Sequence, residues 1–258
     1  MSKTKDLVSN NEFIQDLLAM TGESNQAPRN PFIPTFEVNN AQNEKEVEIE
    51  GKKQIVKLDP EKLFMLTEQN ENGEYIKTSG VPSIEGVIIK IRYSLSKKYS
   101  EQDKSPFFYS PEFDTFFENV TLISNKEEIF TSSYKKFKEE YAERYILWLI
   151  AYILVDDTVY KLKVKGSSRG AIWDYIKKTR GEGGHLVTQK TLFGIETNTE
   201  KQLHYNVMTI DKVENGKVDL QKCSDVLKGL TFYDRAAKVG QLMPREDIET
   251  IDAEVAFD

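Results

Sequence analysis

The chain has 258 residues with a formal net charge of −7, and 39% of its residues are hydrophobic and 30% charged, which allows one large or two small domains. Its single cysteine, Cys223, excludes an internal disulfide, and with only two histidines beside it the sequence has no zinc-ligand spacing. The most apolar run, residues 145–155, is too short to span a bilayer, and the N-terminus lacks a signal-peptide core, so we expect a cytoplasmic protein without membrane contact.

The N-terminal half predicts a flexible arm followed by strands. Residues 1–30 are polar and linker-like, apart from a short amphipathic helix over 11–20. From Phe32 onward, apolar and polar residues alternate as they do in half-buried strands, and the Asn72-Gly73 pair signals a hairpin turn. The strands predicted in this half are residues 32–38, 45–51, 53–58 and 86–93.

The C-terminal half predicts two long hairpins with helices around them. A helical pattern from residue 132 changes to a strand near Ile146, and a hairpin turns at Asp156-Asp157. A short helix then spans residues 168–178, with Ser167 or Ser168 as its N-cap. The remaining predicted elements are a second hairpin over 186–213, a turn at Asn215-Gly216 and a helix within 219–239.

Strands joined by hairpins outnumber helices in this pattern. We therefore predict a mainly β (α+β) fold, an antiparallel OB-like, partly closed barrel with inserted helices, and keep a β-sandwich as the alternative. This domain would occupy residues 31–240, between the arm and a disordered acidic tail over 241–258.

The charge is distributed very unevenly along the chain. Residues 161–180 contain seven bases and one acid, whereas residues 245–258 contain six acids and one base. The glycine-rich stretch within the basic segment lacks the G-x-x-x-x-G-K-[ST] order of a nucleotide-binding loop. We interpret it as a polyanion-binding segment, with a solvated helix and a buried Trp173 as the alternative. Its candidate nucleic-acid-binding residues are Lys163, Lys165, Arg169, Trp173, Lys177, Lys178 and Arg180.

A second basic strip, over residues 88–100, interleaves cations with tyrosines and contains no acid. Cations that track a phosphate backbone beside aromatic faces that stack on bases are the basis of single-strand binding. A lysine-guarded edge strand is the alternative. Its candidates are Lys90, Arg92, Tyr93, Lys97, Lys98 and Tyr99.

The aromatic run Phe107-Phe108-Tyr109 cannot face one core in its entirety, so we expect at least one exposed ring there and take Phe108 as the stacking candidate. Most other aromatics of residues 105–124 are expected in the core.

Catalytic patterns are weak. Glu48, Glu50 and Lys52 faintly resemble the E-x-K pattern of metal-dependent nucleases, but no suitably placed upstream aspartate accompanies them. We therefore expect no enzymatic activity, no catalytic or metal-binding residue and no cofactor.

Together these features resemble the single-stranded DNA-binding proteins of bacteriophages and bacteria. The order K-G-[ST] followed after five residues by tryptophan, before a long hairpin, is held here by Lys165, Gly166, Ser167 and Trp173. The acidic tail with a phenylalanine near its end is held by Glu246, Asp247, Glu249, Asp252, Glu254 and Phe257.

The resemblance implies an OB-fold that binds single-stranded DNA in replication or recombination, in a bacterial or phage-infected cytoplasm. It also implies a tail that recruits replication or repair proteins and competes with DNA. The alternatives are a non-enzymatic protein–protein adaptor or structural phage-type protein and, least supported, a metal-dependent nuclease.

Overall fold

The computed structural model describes residues 32–41, 43–49, 52–70, 72, 74–98, 105–125, 127–141, 144–199 and 204–230. The predicted arm, Tyr99 and the acidic tail lie outside these residues.

Within this part of the chain, the fold consists mostly of strands. Three α-helices accompany them, α1 (Tyr134–Tyr141), α2 (Gly166–Gly181) and α3 (Leu220–Gly229), with a 3₁₀ turn at Leu186–Thr188. The strands are β1 (Thr35–Val38), β2 (Asn43–Ile49), β3 (Lys52–Leu58), β4 (Phe64–Gln69), β5 (Tyr75–Val81), β6 (Ile84–Lys97), β7 (Asn119–Ser124), β8 (Glu127–Ser133), β9 (Tyr145–Val155), β10 (Thr158–Val164), β11 (Lys190–Asn198) and β12 (Tyr205–Lys212).

Eight strands form the main sheet in the order β12-β11-β6-β9-β10-β1-β4-β5. All neighbours are antiparallel except β1 and β10, which run parallel. The pairs β2–β3 and β7–β8 form separate two-stranded sheets. The prediction of a mainly β fold built largely from antiparallel hairpins is therefore confirmed.

The main sheet is curled, and Asn206 connects its edge strand β12 to the loop that follows β1. The Asn206 side-chain amide donates to the carbonyls of Asn39 and Glu61, both at 2.8 Å. The Asn206 backbone N–H donates to the side-chain oxygen of Asn40 at 2.7 Å. Because Asn206 is buried, these bonds satisfy polar groups that would otherwise be costly to leave unpaired.

The central strand β9 is covered on both sides, which explains its unbroken apolar sequence. On one face, here called the inner face, Leu149, Ala151 and Ile153 pack into the larger core, together with Ile172 and Ile176 of α2. On the opposite, outer face, Tyr152 and Leu154 pack with Cys223 of α3. The hairpin that leads from β9 to β10 turns at Asp156, whose φ of 52° is tolerated by aspartate better than by most residues.

Helix α2 begins two residues earlier than predicted. Its N-cap is Lys165, which makes no side-chain capping bond, and Gly166 takes a φ of 54° that favours glycine. The predicted capping role of Ser167 or Ser168 is wrong, because the buried Ser168 hydroxyl instead accepts the backbone N–H of Met208 in β12 at 3.0 Å. The serine therefore attaches the helix to the sheet.

Residues 105–118, which precede β7 and are here called the aromatic segment, run along the second half of β6. The backbone N–H of Tyr93 donates to the Phe113 carbonyl at 2.9 Å, and the N–H of Phe113 donates back at 2.8 Å. Tyr109 forms a backbone β-bridge with Ser96 on one side and with Ile123 on the other. Sheet β7–β8 and α1 are thereby attached to the edge of β6. The Asn215-Gly216 turn is also confirmed, with Asn215 at a φ of 58°, and α3 lies inside the range predicted for the last helix and ends at Gly229.

Candidate nucleic-acid interface

The basic residues of β6 and β10 lie on the same face of the sheet. Lys90 pairs with Tyr152, which pairs with Lys161, and in the next row Arg92 pairs with Ile150, which pairs with Lys163. Paired residues of neighbouring strands point to the same face, so the side chains of all four cations project from the outer face. The two strips, distant in sequence, are brought together across β9.

Two acids from the aromatic segment neutralise most of this row. Asp114 contacts Lys90 Nζ at 3.1 Å and Arg92 Nε at 3.0 Å, while Glu112 accepts Lys161 Nζ at 2.7 Å. Arg92 also donates to the Glu112 carbonyl at 3.0 Å, and its side chain is only 1% exposed. The prediction that Arg92 contacts nucleic acid is therefore wrong, because its guanidinium is enclosed by acids, and Lys90 is paired with an acid as well.

The end of the outer face nearest α2 carries a half-buried tryptophan beside two lysines. The amines of Lys163 and Lys165 lie 4.3 and 4.9 Å from the Trp148 ring centroid, and the indole N–H donates to Ser96 Oγ at 2.9 Å. Lys165 is exposed, whereas burial lowers the pKa of the Lys163 amine from its usual value. Cations in contact with a fixed aromatic face offer phosphate neutralisation and base stacking in one place.

Two exposed aromatics extend this surface across β6. Tyr109 bridges Ser96, the residue bonded to Trp148, and is 42% exposed. Phe107, two residues before Tyr109, is 63% exposed, and we infer from side-chain alternation that it shares this face. Lys98, two residues after Ser96, is exposed too. We call Phe107, Tyr109, Trp148, Lys98, Lys163 and Lys165 the aromatic track.

Phe108, the predicted stacking residue, points the other way. Its ring is 4% exposed and packs edge-on against Tyr141 at 5.1 Å. Strand alternation explains the error: the neighbours of a core residue in an extended segment face outward. The same alternation, applied to Phe107-Phe108-Tyr109, is the signal that would have identified Phe107 and Tyr109.

Two further candidates from β6 are also internal. Tyr93 is 7% exposed within the larger core, and burial raises the pKa of its hydroxyl above the usual value. The buried Lys97 donates its ammonium to the Ser105 carbonyl and so fixes the start of the aromatic segment. The predicted contacts of Tyr93 and Lys97 with nucleic acid are therefore wrong.

Helix α2 lies on the inner side and divides its cations between two flanks. At 100° per residue, Arg169, Trp173, Lys177 and Arg180 follow one flank of the buried face, which we call the helix flank. Lys178 lies about 140° around the helix from Trp173, so it does not belong to this group. The Trp173 indole stacks on Tyr93 with centroids 5.8 Å apart and planes 8° apart.

Comparison with protein-family models, curated proteins and solved structures finds no match to this chain. Among the described residues, no helix is both long and apolar enough to cross a membrane. The part of the chain that the structure describes also holds no group of three or more histidine, cysteine, aspartate or glutamate residues arranged to bind a metal ion. The candidate partner-binding residues of the acidic tail and Tyr99 are outside the described ranges.

Proposed function

We propose that this protein binds single-stranded DNA without sequence preference, in DNA replication or recombination, and that it has no enzymatic role. The observation that carries the proposal is the aromatic track, in which Trp148 contacts Lys163 and Lys165 on the same sheet face as the exposed rings of Phe107 and Tyr109. Every base has a π-face, so such a surface accepts any sequence, but only when the bases are unpaired.

The curled, largely antiparallel sheet with helices at its faces supports an OB-like architecture for this role. The aromatic track supplies the groups that a single strand of nucleic acid needs, namely amines that share one face of the sheet and rings held in place by the sheet. The rival is a protein–protein adaptor, which would present Phe107 and Tyr109 to a partner protein. A binding titration with labelled oligo(dT) and with a duplex of equal length separates them: the adaptor binds neither, and equal affinity for both contradicts single-strand binding.

The affinity for oligo(dT) is expected to fall steeply with salt. On the outer face alone, three phosphate contacts, by Lys98, Lys163 and Lys165, give a slope of about −2 for the logarithm of the association constant against that of salt concentration, because each contact with a single strand contributes about −0.7. Lys165→Ala should reduce the slope by about 0.7. Fluorescence anisotropy at several salt concentrations measures it, and a salt-independent affinity would contradict the proposal.

Deletion of residues 245–258 is expected to tighten DNA binding at low salt. These residues carry six acids and one base, so they compete electrostatically with phosphates for the basic surface, and the competition is screened as salt rises. Paired titrations of the full-length and shortened chains at low and high salt check this. An unchanged affinity at low salt would show that the tail does not compete.

A further inference from the structure

We propose that a bound single strand does not stay on the outer face but bends around the end of β10, from the aromatic track onto the helix flank of Arg169, Trp173, Lys177 and Arg180. This inference rests on the proposed function and adds the course of the ligand: one protomer would contact the strand on both sides of its sheet.

The first supporting observation is that β10 ends before β9 does. Their pairing stops at Val164 and Leu149, so the β9 edge at Leu147 and Trp148 extends past the last residue of β10. Arg169 lies beside this edge and donates from Nη1 to the Leu147 carbonyl at 3.3 Å. Among the described residues, β10 does not pair with β9 beyond Leu149, and α2 bounds the edge on the inner side.

The second observation is that cations lie on both sides of this edge. Lys165 reaches the Trp148 ring on the outer face, at 4.9 Å, and Arg169, one helical turn later, lies near the inner-face tyrosines, where its charge lowers the pKa of Tyr93 and of Tyr134 against the larger effect of burial. A strand leaving Trp148 thus meets Lys165 and then Arg169 without crossing an acidic residue of α2. Consecutive phosphates would be neutralised around the bend.

The third observation is that the helix flank repeats the chemistry of the aromatic track. From Arg169 to Arg180 it runs about 16 Å along the helix, with cations on both sides of a half-buried indole. Trp173 stacks on Tyr93, and Lys177 and Arg180 are exposed on the same flank. Their shared side of the helix is what a second segment of the strand requires.

Oligonucleotide length distinguishes this path from binding on the outer face alone. We would measure the salt slope of binding for oligo(dT) of about 4 to 16 nucleotides with the full chain and with Lys177→Ala, Arg180→Ala and Lys178→Ala. Lys178→Ala is the matched control, because it removes the same charge from the same helix turn on the other flank. All three side chains are exposed, and circular dichroism during thermal unfolding verifies that the fold is retained.

The expected result is that Lys177→Ala and Arg180→Ala match the unaltered protein on the shortest oligonucleotides and each lose about 0.7 of the salt slope on the longest, while Lys178→Ala follows the unaltered protein throughout. If all three variants behave alike at every length while Trp148→Ala still weakens binding, the bent path is wrong and the proposed function stands. If the unaltered protein binds no oligonucleotide at any length, the proposed function fails and the path fails with it.

Discussion

Trp148→Ala is expected to weaken binding of oligo(dT) by about 1–3 kcal/mol, roughly five- to 150-fold in the dissociation constant, which is the range for loss of one stacked base. The indole is held on the outer face by its bond to Ser96 and lies beside the amines of Lys163 and Lys165. Its removal would take away both a stacking surface and the group that orders two phosphate-binding lysines. Fluorescence anisotropy of a labelled oligonucleotide at one fixed salt concentration measures the loss.

Two companion variants make this test specific. Trp148→Phe keeps a ring on the sheet and should retain most of the affinity, because stacking does not require the indole N–H. Tyr75→Ala removes a ring that is 69% exposed on β5, four positions from β9 in the sheet, and should leave binding unchanged. Equal losses for Trp148→Ala and Tyr75→Ala would show that the aromatic track has no special role.

The sequence predicts the hairpin β9–β10 well because a hairpin is local: apolar strands flank the turn signal at Asp156-Asp157, and the structure confirms this turn. Strands β7 and β8, in contrast, are not predicted from the sequence. The order of the strands is not local. The parallel pairing of β1 with β10, and the link from Asn206 to the loop after β1, join residues more than a hundred positions apart, and no short pattern indicates them.

The candidate site shows the same division. The sequence groups Lys163 and Lys165 in one basic segment, and the structure adds Trp148, whose ring lies beneath both amines. The sequence does not reveal that Glu112 and Asp114 return to neutralise Lys90 and Arg92, because an acid some twenty residues away along the chain gives no signal in a count of local charge. A basic strip in sequence is therefore not a basic surface until its partners in space are known.

Removal of the Glu112 side chain is expected to lower the free energy of unfolding more than removal of an exposed acid such as Glu85. Glu112 accepts the Tyr152 hydroxyl and the Lys161 ammonium, and it lies 3.9 Å from the guanidinium of Arg92. Glu112→Ala would leave the Tyr152 hydroxyl and the Lys161 amine without this acceptor and would remove one of the two acids beside the Arg92 guanidinium, which is 1% exposed. Removing one member of a buried ion pair in this way costs about 3–5 kcal/mol of the free energy of unfolding.

Urea unfolding followed by tryptophan fluorescence measures this loss, and Glu85→Ala is the control. Glu85 contacts Lys190 at 2.6 Å but is 46% exposed, so its removal should cost at most about 1 kcal/mol. Glu112→Gln keeps an acceptor for the hydroxyl while removing the charge, and it should fall between the two. If Glu112→Ala costs no more than Glu85→Ala, the contacts of Glu112 do not hold the aromatic segment on the sheet, and another contact must fix Tyr109 beside Trp148. A loss of the expected size would instead show that the acids which neutralise the β6 strip stabilise the segment that carries the exposed rings, because the same backbone supplies Glu112 and Tyr109.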